Sequence, residues 1–84
     1  MPVRHARDEA LDQLETLLVE LRSIAGLREK SRGTFYRGSK AFLHFHEDPA
    51  GLFADVKVGE RFERLPVNTA KERRSLLQAA RAGV

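Results

Sequence analysis

Between Asp8 and Ala25, apolar residues recur every three or four positions, at Leu11, Leu14, Leu17, Leu18, Leu21 and Ile24. That spacing lines one face of a helix and predicts an α-helix over about 8–25. Asp8, Glu9, Asp12 and Glu15 sit in its first turns, where carboxylates complement the helix dipole, and Gly26 is placed to end it as a left-handed cap. From Gly33 onward the pattern becomes one of short strands separated by turns, predicted at about 33–37, 40–47, 52–58 and 61–67. Gly38-Ser39 and Gly59-Glu60 have the form of two-residue hairpin turns, and Asp48-Pro49-Ala50-Gly51 that of a longer one. A second helix is predicted over about 70–82. Thr69-Ala70-Lys71-Glu72 reads as a capping box, Leu76, Leu77 and Ala80 form a narrow apolar side, and Gly83 can end the helix. Leu27 to Arg32 reads as a charged connector.

Turn lengths set strand register, and register assigns every side chain to a face. A two-residue turn at Gly38-Ser39 pairs Tyr36 with Ala41 and Phe35 with Phe42. The next two turns pair Phe45 with Ala54, Leu43 with Val56, Ala54 with Leu65 and Leu52 with Val67. One face then collects Tyr36, Ala41, Leu43, Phe45, Leu52, Ala54, Val56, Val58, Leu65 and Val67, and is the expected core. The opposite face carries three rows: Phe35, Phe42, Lys57 and Phe62; then Gly33, His44, Asp55 and Arg64; then His46, Phe53 and Pro66. The expected architecture is a single α+β domain of order α-β-β-β-β-α, a four-stranded antiparallel meander with both helices packed on it.

Four phenylalanines on a nominally solvent face call for a cover, because monomers seldom leave large contiguous apolar patches open. Three covers are open at this point: the second helix crossing behind the sheet, a second copy stacked by twofold symmetry, or a ligand such as single-stranded nucleic acid. The expected function is a non-catalytic interaction domain that self-associates or binds a protein partner through this face, with nucleic-acid binding and a divalent-metal site as alternatives; the candidate binding face is Phe35, Arg37, Lys40, Phe42, His44, Phe53, Asp55, Lys57, Phe62 and Arg64. In the nucleic-acid case Phe35 and Phe42 would be stacking platforms, with Arg37, Lys40, Lys57 and Arg64 along the backbone track. Arg37-Gly38 followed by Ala41-Phe42-Leu43-His44-Phe45 partly echoes the aromatic core motif of RNA-recognition domains, although the element order differs from theirs.

Composition narrows the classes only a little. The chain has 84 residues, a net charge of +3 and no cysteine, which excludes disulfides and thiolate metal sites. A charge this small gives mild attraction to polyanions. Lys71, Arg73, Arg74 and Arg81 surround Glu72 on the second helix and read as a solvated face. Neither a secretory signal nor a membrane-spanning run is evident, so a cytoplasmic protein is expected.

The candidate chemistry is confined to the polar rows. His44 and His46 alternate on one strand and project from the same face, roughly 7 Å apart by strand rise. With Asp55 across from His44 they form a potential three-ligand metal site, set against a metal-free ladder in which Asp55 lies between His44 and Arg64. His44 beside Asp55 also has the form of an oriented general base. With no serine in these rows, no cysteine and no phosphate-binding loop, no catalytic residue is assigned, and neither a cofactor nor enzymatic activity is expected.

The segment Gly33-Thr34-Phe35-Tyr36-Arg37-Gly38-Ser39-Lys40-Ala41-Phe42-Leu43-His44-Phe45-His46-Glu47-Asp48-Pro49-Ala50-Gly51-Leu52-Phe53-Ala54-Asp55-Val56-Lys57 resembles a family of small uncharacterised bacterial proteins. More loosely, its aromatic-Gly-x-Lys-x-Phe portion and the strand ending in Val-Lys are similar to the YjbR-like domains. That resemblance implies a compact α+β fold and a nucleic-acid partner, and brings no catalytic residue with it.

Overall fold

The computed structural model describes residues 4–84. Among them the chain forms six strands and three helices in the order β1 (Arg4–His5), α1 (Asp8–Gln13), α2 (Glu15–Arg22), β2 (Arg28–Ser31), β3 (Thr34–Arg37), β4 (Lys40–Asp48), β5 (Gly51–Val58), β6 (Arg61–Pro66) and α3 (Ala70–Ala82). The sheet is antiparallel, ordered β2-β3-β4-β5-β6, and β1 adds to β4 beyond the end of β3. The α+β class is therefore as expected, with two more strands than the four-stranded meander.

The extra strands come from segments without apolar alternation. β2 is the charged stretch expected to be a connector, and its alternation is one of charge. Glu29 reaches toward the helices, where it bonds Arg22 of α2 and accepts from the Gly33 N–H at 2.9 Å. Arg28 pairs with Tyr36, and the Lys30 ammonium lies 4.7 Å from the Tyr36 ring centroid. A charged edge strand of this kind resists pairing with other chains. β1 is held by an Ala6 N–H to Phe45 carbonyl bond of 3.0 Å. Glu47 accepts from the Arg7 N–H at 2.6 Å at the start of α1, tying that helix to β4.

The first helix differs from the continuous one expected over about 8–25. It breaks at Leu14 (φ −101°, ψ 8°) into α1 and α2, and α2 ends at Arg22 rather than beside Gly26. The apolar stripe runs through the break: Leu11, Leu14, Leu17, Leu18 and Leu21 are all buried. Helix α3 begins as the sequence indicates. Thr69 accepts from the Glu72 N–H, and the Glu72 carboxylate accepts from the N–H groups of Thr69 and Asn68.

The buried side chains form one cluster, in which the three helices pack on a single sheet face. From Leu43 onward the expected register holds, with Leu43 opposite Val56, Phe45 opposite Ala54, Ala54 opposite Leu65 and Lys57 opposite Phe62. Between β3 and β4 it does not. Tyr36 pairs with Ala41 as expected, but Phe35 pairs with Leu43, so Phe42 is an extra residue on β4. Such a bulge puts two residues opposite one and shifts which side chains share a face. Phe35 joins Leu43 in the core at 0% exposure, and Phe42 is buried at 3%. Tyr36 and Ala41, expected in the core, are only half-buried, and Val58 is exposed.

Candidate functional site

The sheet face opposite the helices is the candidate site, and the strand register assembles it row by row. His5, His46, Phe53 and Pro66 form one row across β1, β4, β5 and β6. Thr34, His44, Asp55 and Arg64 form the next, and Lys57 lies opposite Phe62 in a third. Tyr36 and Ala41 continue the face beyond the bulge. Two of the expected platforms, Phe35 and Phe42, are absent from it because the bulge turns them inward. Gly33 is also misplaced by the expectation. It lies in the β2–β3 turn with φ +78°, where an added Cβ would sit 2.7 Å from Leu11 Cδ2, and Thr34 takes its position in the row. The second helix does not cross behind the sheet: Leu76, Leu77 and Ala80 belong to the single core.

Remaining on the open face are the rings of Tyr36, His44, His46, Phe53 and Phe62. Phe62 is the most exposed of the phenylalanines at 43%, and its ring centroid lies 5.5 Å from that of His44. Around these rings stand Arg28, Lys30, Lys57 and Arg64, against Asp48 and Asp55. Both acids are already engaged, since Asp48 Oδ1 accepts from the Ala50 N–H at 2.8 Å in its own turn and Asp55 is held as described below. Glu29 of β2 and Glu47 of β4 are tied to the helix side, and Glu63 of β6 lies opposite the core residue Val56. Alternation thus sorts the charges and leaves the open face cationic. At one end of the sheet, Arg37, Lys40 and Lys57 line an open cleft of about 480 Å³ with Phe42, Glu60 and Gly83.

The centre of the face is a polar ladder. Arg64 donates through Nε to Asp55 Oδ1 at 2.8 Å and through Nη2 to Oδ2 at 3.0 Å. His46 Nε2 lies 2.9 Å from Oδ2. An ionised carboxylate only accepts, so Nε2 carries the proton in this bond. The Arg64 guanidinium holds the Asp55 carboxyl below its ordinary value, against the opposing effect of partial burial, with His46 assisting. His44, in edge-to-face contact with His46 at 4.7 Å between centroids, is lowered mainly by burial and then by that neighbour. One donor atom each from His44, His46 and Asp55 lie within 4.8 Å of one another, the grouping the strand spacing indicated. The ladder and the metal-ligand set are therefore made of the same side chains, except that Asp55 contacts His46 rather than His44.

His5 is the member that sequence reasoning missed. Its position opposite His46 depends on β1, a two-residue strand with no apolar alternation to reveal it. No match is found when the chain is compared with protein-family models, with curated proteins or with solved structures, so the resemblance to YjbR-like domains rests on the quoted residues alone. No helix among the described residues is long and apolar enough to cross a membrane.

Proposed function

We propose that this is a non-catalytic binding domain whose open sheet face takes single-stranded nucleic acid. The observation that supports the reading is the sorting of side chains by alternation. The face away from the helices carries the exposed Phe62 ring and the half-buried rings of Tyr36 and Phe53 together with Arg28, Lys30 and Lys57, while Arg64 and Asp55 bond each other and Asp48 is bonded in its own turn. Stacking rings flanked by cations suit a single strand, because every base has a π-face and every nucleotide a phosphate. Arg37, Lys40 and Lys57 also line the cleft at one end of the sheet, beside Glu60 and the end of α3. Tyr36, Phe53 and Phe62 take the stacking role expected of Phe35 and Phe42.

The test is fluorescence anisotropy with labelled mixed-sequence single-stranded RNA and DNA across a series of salt concentrations. Neutralising about three phosphates gives a slope of log affinity against log salt near −2. Phe62→Ala should weaken binding by about 1–3 kcal/mol, the usual worth of one base–aromatic stack. Backbone amide shifts centred on Phe53, Lys57 and Phe62 would locate the contact. Absence of binding at low salt overturns the proposal. A mass that rises with protein concentration, accompanied by the same amide shifts without nucleic acid, would replace it with a second copy of the chain on this face.

A further inference from the structure

The chain has three histidines, and the strand register places all of them on the open face, His44 and His46 on β4 and His5 opposite His46 on β1. His44 and His46 stand in edge-to-face contact. His5 lies opposite His46, and the Ala6 N–H to Phe45 carbonyl bond makes His5–His46 a non-hydrogen-bonded pair, the type whose side chains approach more closely. His5 and His44 are diagonal neighbours across the same two strands, within reach for long or aromatic side chains. Asp55 completes the group through its contact with His46.

We propose that His5, His44, His46 and Asp55 form a four-ligand site for a divalent transition cation of the zinc type. Three imidazoles and one carboxylate are a donor set suited to zinc and its neighbours and poorly suited to magnesium. Bonds of about 2.0–2.1 Å in a tetrahedron set the donor atoms about 3.3 Å apart. The donors of His44, His46 and Asp55 already lie within 4.8 Å of one another; the His5 ring is outside that group and has to turn in from its place opposite His46 to supply the fourth donor. The cation takes the place between His46 Nε2 and Asp55 Oδ2, and the imidazole, ligating as the neutral ring, carries its one proton on Nδ1 instead. Arg64 remains on Oδ1 as the outer hydrogen-bond partner that ligating carboxylates ordinarily have. This site stands independently of nucleic-acid binding.

The test titrates the full chain, stripped by chelator, with zinc chloride and with magnesium chloride, read by calorimetry and by imidazole nitrogen NMR. One zinc per chain is expected, with all three imidazoles shifting together and no response to magnesium. His44→Ala should abolish saturable binding. His5→Ala should weaken it by at least about 10-fold while leaving the melting curve of the metal-free protein unchanged, since His5 is exposed on a short strand. An absence of zinc-dependent heat, binding that survives His44→Ala, or spectra in which His5 does not shift would each overturn the four-ligand site.

Discussion

The bulge at Phe42 makes two phenylalanines of similar sequence setting behave oppositely, and paired truncations measure the difference. By simple alternation Phe35 and Phe62 belong to one row of one face; in the fold they lie on opposite sides of the sheet, at 0% and 43% exposure. Phe35→Ala removes a ring from the closed cluster beneath α1, α2 and α3, so it loses both transfer free energy and packing around the cavity that remains. Such changes cost about 3–5 kcal/mol. An 84-residue domain has on the order of 4–13 kcal/mol of stability in total. The variant should therefore melt at least about 12 °C lower, at 4–8 °C per kcal/mol for a domain of this size, or fail to fold. Phe62→Ala removes a half-exposed ring whose main neighbour is His44 and should cost about 0.5–1 kcal/mol. Urea denaturation followed by far-ultraviolet circular dichroism reads both values. Equal losses for the two variants would refute the bulged register, because unbroken alternation gives the two rings equivalent surroundings.

Three other outcomes follow from single positions. Gly33→Ala should destabilise by about 1–3 kcal/mol and more than Gly38→Ala, since both glycines have positive φ but only at Gly33 does the new Cβ meet a side chain, Leu11 Cδ2 at 2.7 Å. Equal urea midpoints for the two variants would contradict that contact. Thr69→Ala should cost about 1 kcal/mol through loss of the capping box, and faster amide exchange at Glu72 would report it. Burial alone would raise the Glu29 carboxyl, but Arg22 and the Gly33 N–H more than compensate and hold it below its ordinary value of 4.5. A carboxyl depressed in the fold contributes stability above its unfolded value and loses it as pH falls through the folded one. Acidification below about pH 4.5 should therefore lower the melting temperature, and Glu29→Gln should flatten part of that fall; superimposable pH profiles would show that Glu29 contributes nothing.

Much of this fold is legible in the chain because local physics is strong there. The leucine stripe from Leu11 to Leu21, the Thr69–Glu72 box and the glycine turns each act within a few residues, and each forms where its pattern lies. The register from Leu43 through Leu65 follows from two turns and survives because a slip would expose Leu43, Phe45 and Ala54 together. His44, His46 and Asp55 are brought together for the same reason.

Tertiary packing decided the rest. No local preference distinguishes Phe35–Phe42 pairing from Phe35–Leu43 pairing; burying both phenylalanines under the helices does, and the bulge is the cost of that packing. β2 has no apolar face of its own and becomes a strand because Glu29 meets Arg22 and Arg28 lies beside Tyr36. His5 reaches His46 only because β1 folds back across 40 intervening positions to complete the edge of β4. The sequence by itself determined the α+β class, strands β3 to β6, the last helix, the central register and the two-histidine strand. Which rings are core, which face is cationic and which histidine stands third depended on contacts between distant segments, whose free energy no local pattern carries.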